Sequence, residues 1–300
     1  EVSMLDLLLT NHIFKSLPPG AQLLMVGDAD QLPSVGPGAV LRDMLTAGKV
    51  PAVRLSHIFR QAQASLIVMN AHRINLGKFP RLLPPVAEYR SENAFFIEQA
   101  DPEQIIATTL DLLVRRLPAR GYRPEDIQLL CPMNRGSLGA TALNTRIQQV
   151  LNPARADQPV ALHGNRRLQV GDRVIQLRNN YHYEVFNGET GTIVQIDPEE
   201  QELTVEFPEK RVCYDFSDQS ELGLAYAMSV HKAQGSEYAV VIIPLTLQHY
   251  PMLQRNLLYT AVTRARQLLI IIGSKRAVSL AVRNDRLVKR HSHLAERLLE

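Results

Sequence analysis

Over the first half of the chain, helix-like spacing of apolar residues alternates with short apolar runs. Apolar residues between positions 4 and 14 recur every three or four positions, which predicts a helix that ends before Pro18. Residues 22–26 form a short, mainly apolar run closed by Gly27, which is typical of a buried strand. The same patterns predict helices at 38–47, 64–76, 102–117 and 140–151, and strands at 94–98 and 127–131. Such alternation indicates an α/β fold with a parallel sheet covered on both faces.

Between residues 153 and 222 the pattern changes to short strands separated by turn residues. Pairs such as Asn187-Gly188 and Asp197-Pro198 divide strands of five or six residues predicted at 173–177, 192–196 and 202–207. This pattern is typical of a small antiparallel barrel. From Gly223 onward the α/β pattern resumes, with strands at 224–228, 240–244 and 268–272 and helices near Lys232, at 254–265 and at 274–283. The simplest organisation is a barrel inserted into an α/β domain, with another α/β portion before it.

Composition narrows the class of protein without identifying a function. Apolar residues make up 45% of the chain and charged residues 21%, as in a globular protein. The longest apolar runs, 239–245 and 268–272, are too short to span a bilayer, and residues 1–4 show no signal-peptide pattern. Cys131 and Cys213 cannot build a disulfide framework or a four-thiolate metal site, and they suit a reducing cytoplasm. The net charge of +3 is too balanced to indicate a nucleic-acid partner by itself.

The first group of candidate residues follows the strand predicted at 22–26. Gly27, Asp28 and Gln31 would emerge at the carboxyl end of that strand, where open α/β sheets bind their ligands. Gln31 carries both a donor and an acceptor, so it can contact a terminal phosphate and an attacking water together. An equally open alternative is a turn rich in glycine, proline and aspartate that is needed only for its backbone conformation.

Two further groups contain residue types that bind phosphate. Arg60 offers a planar guanidinium to a phosphate, although a single arginine is more often a surface residue. The loop predicted after residues 224–228 contributes Ser229, Lys232, Gln234 and Glu237, which can bind phosphate or a ribose hydroxyl. His231 has no nearby partner with metal-ligand spacing, which favours a structural, hydrogen-bonded histidine.

The last group lies on the helix predicted at 254–265. Arg264 and Arg266 are two positions apart, so their side chains face different directions and one of them can reach a neighbouring site. The alternative is an amphipathic helix with basic residues near its end, where the helix dipole favours them.

Taken together and in order, these segments resemble a known family. Segments 1–5, 27–38, 58–61, 229–237 and 260–266 are similar to five signature motifs of superfamily-one helicases. The sequences Gly-Asp-Ala-Asp-Gln-Leu-Pro-Ser-Val-Gly, Val-His-Lys-Ala-Gln-Gly-Ser-Glu and Tyr-Thr-Ala-Val-Thr-Arg-Ala resemble the RecD-like branch, whose namesake is the alpha subunit of exonuclease V. The resemblance spans nearly the whole chain. It implies an ATP-dependent DNA helicase, 5′-to-3′ by family, that acts in DNA repair and recombination.

The resemblance also implies a fold and a set of nucleotide-site residues. Two RecA-like domains would clamp ATP and Mg²⁺: residues 1–56 belong to the first, 57–152 and 223–300 form the second, and 153–222 form an inserted Src-homology-three-like barrel. Glu1 would activate the attacking water, Gln31 would sense the γ-phosphate, and Arg60 and Arg264 would reach it from the second domain. The nucleotide would also contact Gly27, Asp28, Gln234, Gly235 and Glu237.

For the implied partners, single-stranded DNA and duplex junctions, the candidates lie in three segments. They are Asn134, Arg135, Gly136, Ser137 and Thr141, then Arg178, Asn180 and Tyr181, and then Ser229, His231 and Lys232. Glycines before a helix start can present backbone N–H groups to a phosphate, and exposed rings can stack on bases. Alternatives remain open: a merely capped helix start at residues 133–141, and a barrel-core position for Tyr181. No membrane partner is expected, and other subunits of a nuclease–helicase complex remain open.

One departure from the family concerns the phosphate-binding loop. No Gly-x-x-x-x-Gly-Lys-Ser/Thr sequence occurs in these 300 residues, and the aspartate expected before Glu1 as a magnesium ligand is absent. We therefore expect the chain to be the C-terminal part of a larger helicase and to be inactive alone. Two other classes remain open: a nucleic-acid-binding module without hydrolysis, and an unrelated nucleotide-binding enzyme with a doubly wound sheet.

Overall fold

The computed structural model describes residues 1–55, 65–86, 91–164, 166–286, 290 and 292–300. The α-helices are α1 (Leu7–Ser16), α2 (Val40–Ala47), α3 (Leu66–Asn75), α4 (Pro102–Asp111), α5 (Ala140–Leu151), α6 (Arg255–Val262), α7 (Lys275–Arg283) and α8 (Leu294–Leu299). The strands are β1 (Ala94–Glu98), β2 (Ile127–Cys131), β3 (Val160–His163), β4 (Arg166–Gln169), β5 (Arg173–Gln176), β6 (Thr190–Asp197), β7 (Glu202–Glu206), β8 (Arg211–Asp215), β9 (Leu222–Leu224), β10 (Ala227–Ser229), β11 (Tyr238–Leu245) and β12 (Ala265–Gly273).

The chain divides into two compact units. Unit 1 consists of Glu1–Glu98, Gln234–Ala239 and Leu245–Glu300. Unit 2 consists of Gln99–Ala233 and Val240–Pro244. No helix in these described ranges is both long enough and apolar enough to cross a membrane.

Unit 1 is built around parallel strands flanked by helices. Strands β1 and β12 pair in parallel, in a register that runs from Ala94 opposite Leu269 to Glu98 opposite Gly273. Most side chains of β12 are buried, as expected of a parallel strand that is covered on both faces. Helix α3 packs against α6 and β12, and α7 packs against α6. The Ser274 side chain accepts a hydrogen bond from the Ala277 N–H and so caps the start of α7.

Unit 2 contains a second group of parallel strands. Residues 240–242 of β11 and all of β10 pair in parallel with β2, which lies between them. Helix α5 is fixed to β10 by Asn144, whose Nδ2 donates to the Ala227 carbonyl while its Oδ1 accepts from the Ala227 N–H. A side-chain amide that reproduces two backbone hydrogen bonds fixes the helix against the strand.

Unit 2 also contains an antiparallel sheet with the strand order β8-β7-β6-β5-β9, and a separate β3–β4 hairpin. The sheet and hairpin share a core that includes Leu168, Val174, Ile193 and the fully buried Tyr214. The β6–β7 pairing is irregular between Ile193 and Gln195. Buried and exposed positions alternate along β7 and β8, as expected of strands with one face on the core.

The predicted elements agree best with the structure where buried strands and long helices are concerned. Strands 94–98 and 127–131 and helix 140–151 occupy the predicted residues. The prediction of a buried strand at 22–26 is wrong: these residues form no strand, and Leu24 is 87% exposed. An apolar run becomes a strand only where another strand pairs with its backbone. The carbonyl of Val26 does accept a hydrogen bond from the Val2 N–H.

The strand predicted at 224–228 is in fact two strands. Strand β9 pairs with β5 in the antiparallel sheet, and β10 pairs with β2 in the parallel group, so the chain changes sheets at Ala225-Tyr226. The helix predicted near Lys232 is a short 3₁₀ turn at Val230–Ala233. Strands β3, β4 and β8 and helix α8 were not predicted. These elements are short, so periodicity identifies them poorly.

Candidate functional site

Three segments that are distant in sequence meet in unit 1 around the turn Val2–Met4. A Cβ atom added at Gly27 would lie 3.0 Å from the backbone nitrogens of Val2 and Ser3. A Cβ atom added at Gly235, whose φ is +77°, would lie 3.5 Å from the Sδ atom of Met4. Gly27 therefore allows close approach of the loop after residue 26 to the backbone that follows Glu1, whereas Gly235 suits the positive φ of the loop after residue 233, which contacts Met4.

The loop at residues 27–36 is bonded to helix α6. The Tyr259 hydroxyl donates to Asp28 Oδ2 at 2.8 Å, and the Leu32 N–H donates to Thr260 Oγ1 at 2.8 Å. Gln234 Nε2 donates to the Leu32 carbonyl, also at 2.8 Å. Two consecutive residues of α6 and one residue of the 234–237 segment therefore fix the position of this loop. The loop therefore makes specific side-chain contacts in addition to its turns, and its role as a phosphate-binding loop stays a prediction.

The side chain of Gln31 points back to Asp28. Gln31 Nε2 lies 3.3 Å from Asp28 Oδ2, the same oxygen that accepts the Tyr259 hydroxyl. Burial, reinforced by the neighbouring Asp28 carboxylate, raises the pKa of Tyr259. Its phenol therefore stays protonated and acts as a donor toward Asp28. Gln31 and Asp28, both predicted site residues, lie side by side in unit 1.

Arg264 is a buried arginine whose guanidinium lies near Glu1. It is only 4% exposed, and its Nε and Nη1 donate to the carbonyls of Thr260 and Ser236. Nη1 is also 4.0 Å from Oε1 of Glu1, whose side chain is about half exposed. Arg266, two residues further, is exposed. Helix α6 ends at Val262, so the prediction that it extends to 265 is wrong: Arg264 lies just beyond its end and Arg266 lies in strand β12. The structure thus places one of the two arginines at the candidate site and the other at the surface.

The remaining nucleotide-site candidates differ in their burial, and one of them lies outside the described residues. Gln234 is buried and bonded to the loop as described, whereas Glu237 is exposed next to Ser236. Arg60 and the rest of segment 58–61 lie outside the described residues, as does the proposed domain boundary at 56 and 57. The expected approach of both Arg60 and Arg264 to the γ-phosphate therefore stays a prediction. Within the described ranges, no group of three or more histidine, cysteine, aspartate or glutamate residues could hold a metal ion.

Arg290 makes a further contact with the loop that the sequence did not indicate. Its Nη1 donates to the carbonyls of Gly36 and Gly38 at 2.6 and 2.7 Å, and it lies 3.3 Å from Ser34 Oγ. Tyr259 and Thr260 were also missed, although both lie in a segment that resembles a helicase motif. The available signal was their position on the same predicted helix as Arg264, but which loop they would contact depends on the fold.

The first group of DNA candidates lies at the carboxyl ends of adjacent parallel strands in unit 2. Ser229, the last residue of β10, is opposite Cys131, the last residue of β2. The exposed loop that carries Asn134, Arg135, Gly136 and Ser137 follows β2 and leads into α5. Gly136 has a φ of +98°, and the Asn134 carbonyl accepts from the Thr141 N–H. The structure therefore brings this loop and the residues after β10 to the same edge of the sheet.

The residues after β10 differ in exposure and protonation. Ser229 is buried, His231 is half-buried and Lys232 is exposed. Desolvation lowers the pKa of His231, so its imidazole is neutral at pH 7. Desolvation, with the nearby positive charge of Arg166, lowers the pKa of Lys232. A cationic side chain whose pKa is lowered by a like charge is the kind of group that an anionic ligand stabilises.

The second group of DNA candidates lies in the loop between β5 and β6. Arg178 pairs with Glu221 at 2.7 Å, and Asn180 Nδ2 donates to the same carboxylate at 3.0 Å. Burial of Glu221 opposes its ionisation, but the bonds from Asn180, Arg178 and Gln176 outweigh it and lower its pKa. Tyr181 is 76% exposed, so it is not a core residue. Asn180 and Arg178 thus shape the loop, and Tyr181 projects from it.

Three family models match the chain in order. Residues 1–91 match an AAA domain, residues 143–207 match the ATP-dependent RecD-like DNA helicase SH3 domain, and residues 224–272 match the UvrD-like helicase C-terminal domain. Among solved structures, the Pif1 helicase from Bacteroides in complex with ADP-AlF3 and ssDNA aligns with a TM-score of 0.52 at 17% identity. That alignment covers 92% of this chain and 70% of the other. With the parallel strands described above, it defines the class of the fold as RecA-like α/β.

Curated relatives identify the branch within that class. The chain is 36% identical over 298 residues to the ATP-dependent RecD2 DNA helicase of Deinococcus radiodurans, covering 99% of this chain and 39% of the relative. It is 29% identical to the RecBCD enzyme subunit RecD of Mycobacterium tuberculosis, covering 94% of this chain and 50% of the relative. The chain belongs to the RecD-like helicase family. It spans half or less of the length of these relatives.

Proposed function

We propose that this chain provides the ATP-responsive and DNA-contacting part of a RecD-like, ATP-dependent DNA helicase. The observation that carries the proposal is the buried Arg264 guanidinium 4.0 Å from the Glu1 carboxylate, bonded to the end of the helix that also binds the loop of Gln31. A fixed positive charge, a carboxylate and a donor–acceptor amide are the groups that phosphoryl transfer to water requires. The relatives named as ATP-dependent helicases support the same reading.

In this proposal each side chain has a defined task at the terminal phosphate. Arg264 contributes positive charge without reorganisation, because its Nε and Nη1 already bind the Thr260 and Ser236 carbonyls. Glu1 accepts a proton from the attacking water, and Gln31 orients that water. ATP would supply the phosphoryl group and Mg²⁺ would neutralise its charge. Gly27, Asp28, Gln234, Gly235 and Glu237 would line the same nucleotide site.

The donors present suit a nucleotide better than a bare metal ion. The Ser3 hydroxyl, two residues along the chain from Glu1, is buried and has no hydrogen-bond partner among the described residues. A buried hydroxyl without a partner in this turn is consistent with a ligand that supplies an acceptor. Glu1 would be the carboxylate available to hold magnesium here, because Asp28 already accepts bonds from Tyr259 and Gln31. Any further magnesium ligand would come from a residue other than Glu1, Asp28 and Gln31.

We assign the motor domains as residues 1–56 for the first and 57–152 with 223–300 for the second. Residues 153–222 would form the inserted Src-homology-three-like barrel. The antiparallel sheet of β5 to β9 and the family match at residues 143–207 support the barrel. Arg60 would be the second arginine that reaches the γ-phosphate.

Single-stranded DNA would follow a track across unit 2. The 134–137 loop with Thr141 and the residues Ser229, His231 and Lys232 would contact the phosphates, since they lie at one sheet edge. Tyr181 would stack on a base, with Arg178 and Asn180 shaping its loop. We further propose that the full-length protein acts at duplex junctions and moves 5′-to-3′ along single-stranded DNA. Its location would be cytoplasmic and its role would be in DNA repair and recombination. Because one relative is named as a RecBCD subunit, a nuclease–helicase complex is a candidate assembly.

The test is the rate of ATP hydrolysis by the full-length protein with and without single-stranded DNA. Arg264→Ala should lower the DNA-stimulated kcat by about 10³-fold, because it removes fixed charge from the transition state. Arg264→Lys should recover only part of the rate, since a single ammonium nitrogen lacks the planar guanidinium fork that spans separate carbonyls and a phosphate. Arg266→Ala is the matched control: this arginine is exposed on the same segment and should leave kcat unchanged.

Thermal unfolding of each variant separates a catalytic loss from a folding defect. A wild-type protein whose ATP turnover does not respond to single-stranded DNA would refute the proposal. So would an Arg264→Ala variant that folds normally and retains full turnover.

A second candidate function is nucleic-acid binding without hydrolysis. It is favoured by one observation: every DNA candidate lies in unit 2, whereas every described nucleotide candidate lies in unit 1. Affinity for single strands that is independent of ATP and unchanged by Arg264→Ala, without ATP turnover in the full-length protein, would favour this function.

A further inference from the structure

The Asp28 carboxylate collects donors from three residues. Its Oδ2 accepts the Tyr259 hydroxyl at 2.8 Å and lies 3.3 Å from Gln31 Nε2, and its Oδ1 accepts the Asp30 N–H at 3.0 Å. The bond from Tyr259 joins residues 231 positions apart, whereas the other two are local. Asp28 is therefore held by its own turn on one side and by helix α6 on the other.

Helix α6 connects this carboxylate to the buried arginine within a few residues. Thr260, adjacent to Tyr259, accepts the Leu32 N–H through its hydroxyl and the Arg264 Nε–H through its carbonyl. A displacement of α6 would therefore move Arg264 and change the bonds at Asp28 and Leu32 together. Helix α6 therefore bonds both the loop that carries Gln31 and the guanidinium of Arg264.

We propose that Tyr259 is a positioning residue that orients the Gln31 amide through Asp28 and couples that orientation to helix α6, whose Thr260 carbonyl accepts from Arg264. The inference rests on the proposed function, in which Gln31 orients the attacking water. With Tyr259 in place, Asp28 Oδ2 is fixed in the direction of Gln31, and the amide nitrogen of Gln31 is directed to it. The oxygen of that amide is then the atom presented to a ligand.

The phenol is suited to this task. The carboxylate accepts one strong bond from it, and the raised pKa of Tyr259 keeps that proton on the phenol throughout the physiological pH range. Phenylalanine would keep the ring and remove only the hydroxyl. The Tyr259→Phe substitution therefore tests the hydrogen bond with little change in packing.

The first experiment measures DNA-stimulated ATP hydrolysis by the full-length protein. Tyr259→Phe should lower kcat about tenfold, the usual effect of losing one hydrogen bond to a charged group, and should change KM for ATP less than twofold. In a Gln31→Ala background the same substitution should have no further effect, because the amide it positions is gone. Tyr250→Phe, which alters an exposed tyrosine of unit 1, is the control and should change neither parameter.

The second experiment does not depend on turnover. In the 300-residue chain, the side-chain amide resonances of Gln31 should shift in Tyr259→Phe and stay in place in Tyr250→Phe. Unchanged amide resonances would overturn the inference, and so would an unchanged kcat or a loss that adds fully to that of Gln31→Ala. If the wild-type protein hydrolyses no ATP, the proposed function fails, while the amide resonances still decide whether Tyr259 orients Gln31.

Discussion

At the scale of single residues, two buried ionisable side chains, those of Arg264 and Asp172, differ in how fully the protein satisfies their hydrogen bonds. Arg264 donates to two backbone carbonyls, and its Nη1 also lies 4.0 Å from Oε1 of Glu1. Part of its positive charge is therefore directed to the candidate site. Asp172 is fully buried in unit 2, where its two oxygens accept from the Gln148 and Asn152 side chains, the Gln169 N–H and the Tyr226 hydroxyl. Its bonding is complete, which identifies Asp172 as a structural residue.

Asp172→Asn should lower the free energy of unfolding by about 2 kcal/mol at pH 7. The asparagine NH₂ would face donors from Gln148 or Asn152, leaving buried donors without an acceptor. Urea unfolding of the 300-residue chain measures the difference, with Asp157→Asn, at an exposed aspartate, as the control. Equal stability of the two variants would show that Asp172 is not the organising acceptor.

The difference in stability between wild type and Asp172→Asn should depend on pH. Desolvation raises the pKa of Asp172, although its hydrogen bonds oppose that shift. The folded chain therefore takes up this proton at a higher pH than the unfolded chain. The stability contributed by the group is fully present below its unfolded pKa and is lost as pH rises through the folded pKa. The stability advantage of wild type over Asp172→Asn should thus shrink between acid and neutral pH.

At the scale of elements, the loop at residues 34–38 depends on a residue near the other end of the chain. Arg290 donates to the Gly36 and Gly38 carbonyls, and helix α8, which follows it, packs against α2. Ser292 adds a hydrogen bond to Asp43 of α2. Arg290 therefore supports the loop that continues from Gln31, and Ser292 and α8 contact the helix that follows this loop.

Arg290→Ala should loosen this loop without unfolding unit 1. Removing a charged donor from two carbonyls weakens local structure by about 1.4 kcal/mol, which corresponds to roughly tenfold faster hydrogen exchange. The amides to follow are those of Val35, Gly36 and Gly38 and of Leu7, which donates to the Pro37 carbonyl. Arg286→Ala, at an exposed arginine, should leave these rates unchanged. Equal rates in both variants would exclude a supporting role for Arg290.

At the scale of the whole molecule, the two kinds of candidate site belong to different units. The described nucleotide candidates are in unit 1 and the DNA candidates are in unit 2. Within unit 2, the cationic groups at the sheet edge include Arg135 and Lys232, both exposed. Exposed cations that bind nucleic-acid phosphates release counterions, which makes the affinity depend on salt.

The affinity of the chain for single-stranded DNA should therefore fall with salt even in the absence of ATP. Arg135→Gln and Lys232→Gln should each reduce the slope of log K against log salt by about 0.7, the contribution of one phosphate contact. Lys275→Gln is the control, because Lys275 lies in unit 1 and pairs with Glu98. The measurement is fluorescence anisotropy over a range of salt concentrations. A slope unaffected by the unit 2 variants would remove that sheet edge from the proposed DNA track.

The sequence was most informative where a local pattern has a single structural outcome. Strands β1 and β2 are apolar runs that parallel pairing buries, and α5 is a helix whose apolar spacing fixes its buried face. Residues 22–26 have a similar pattern and form no strand, because a run of apolar side chains does not specify its pairing partner. The prediction of one strand at 224–228 is wrong for a related reason, because these residues pair with two different groups of strands.

The sequence by itself determined the α/β class, the order of the motifs and the RecD-like family, because these depend on residue type and spacing. Only the tertiary structure decided which side chains meet: Tyr259 with Asp28, Thr260 with Leu32, Arg290 with the 34–38 loop, and Arg264 with Glu1. Each of these contacts joins residues more than two hundred positions apart. Hydrogen bonds and ion pairs act over a few ångströms, so they depend on how the chain folds back on itself and leave no periodic trace in the sequence.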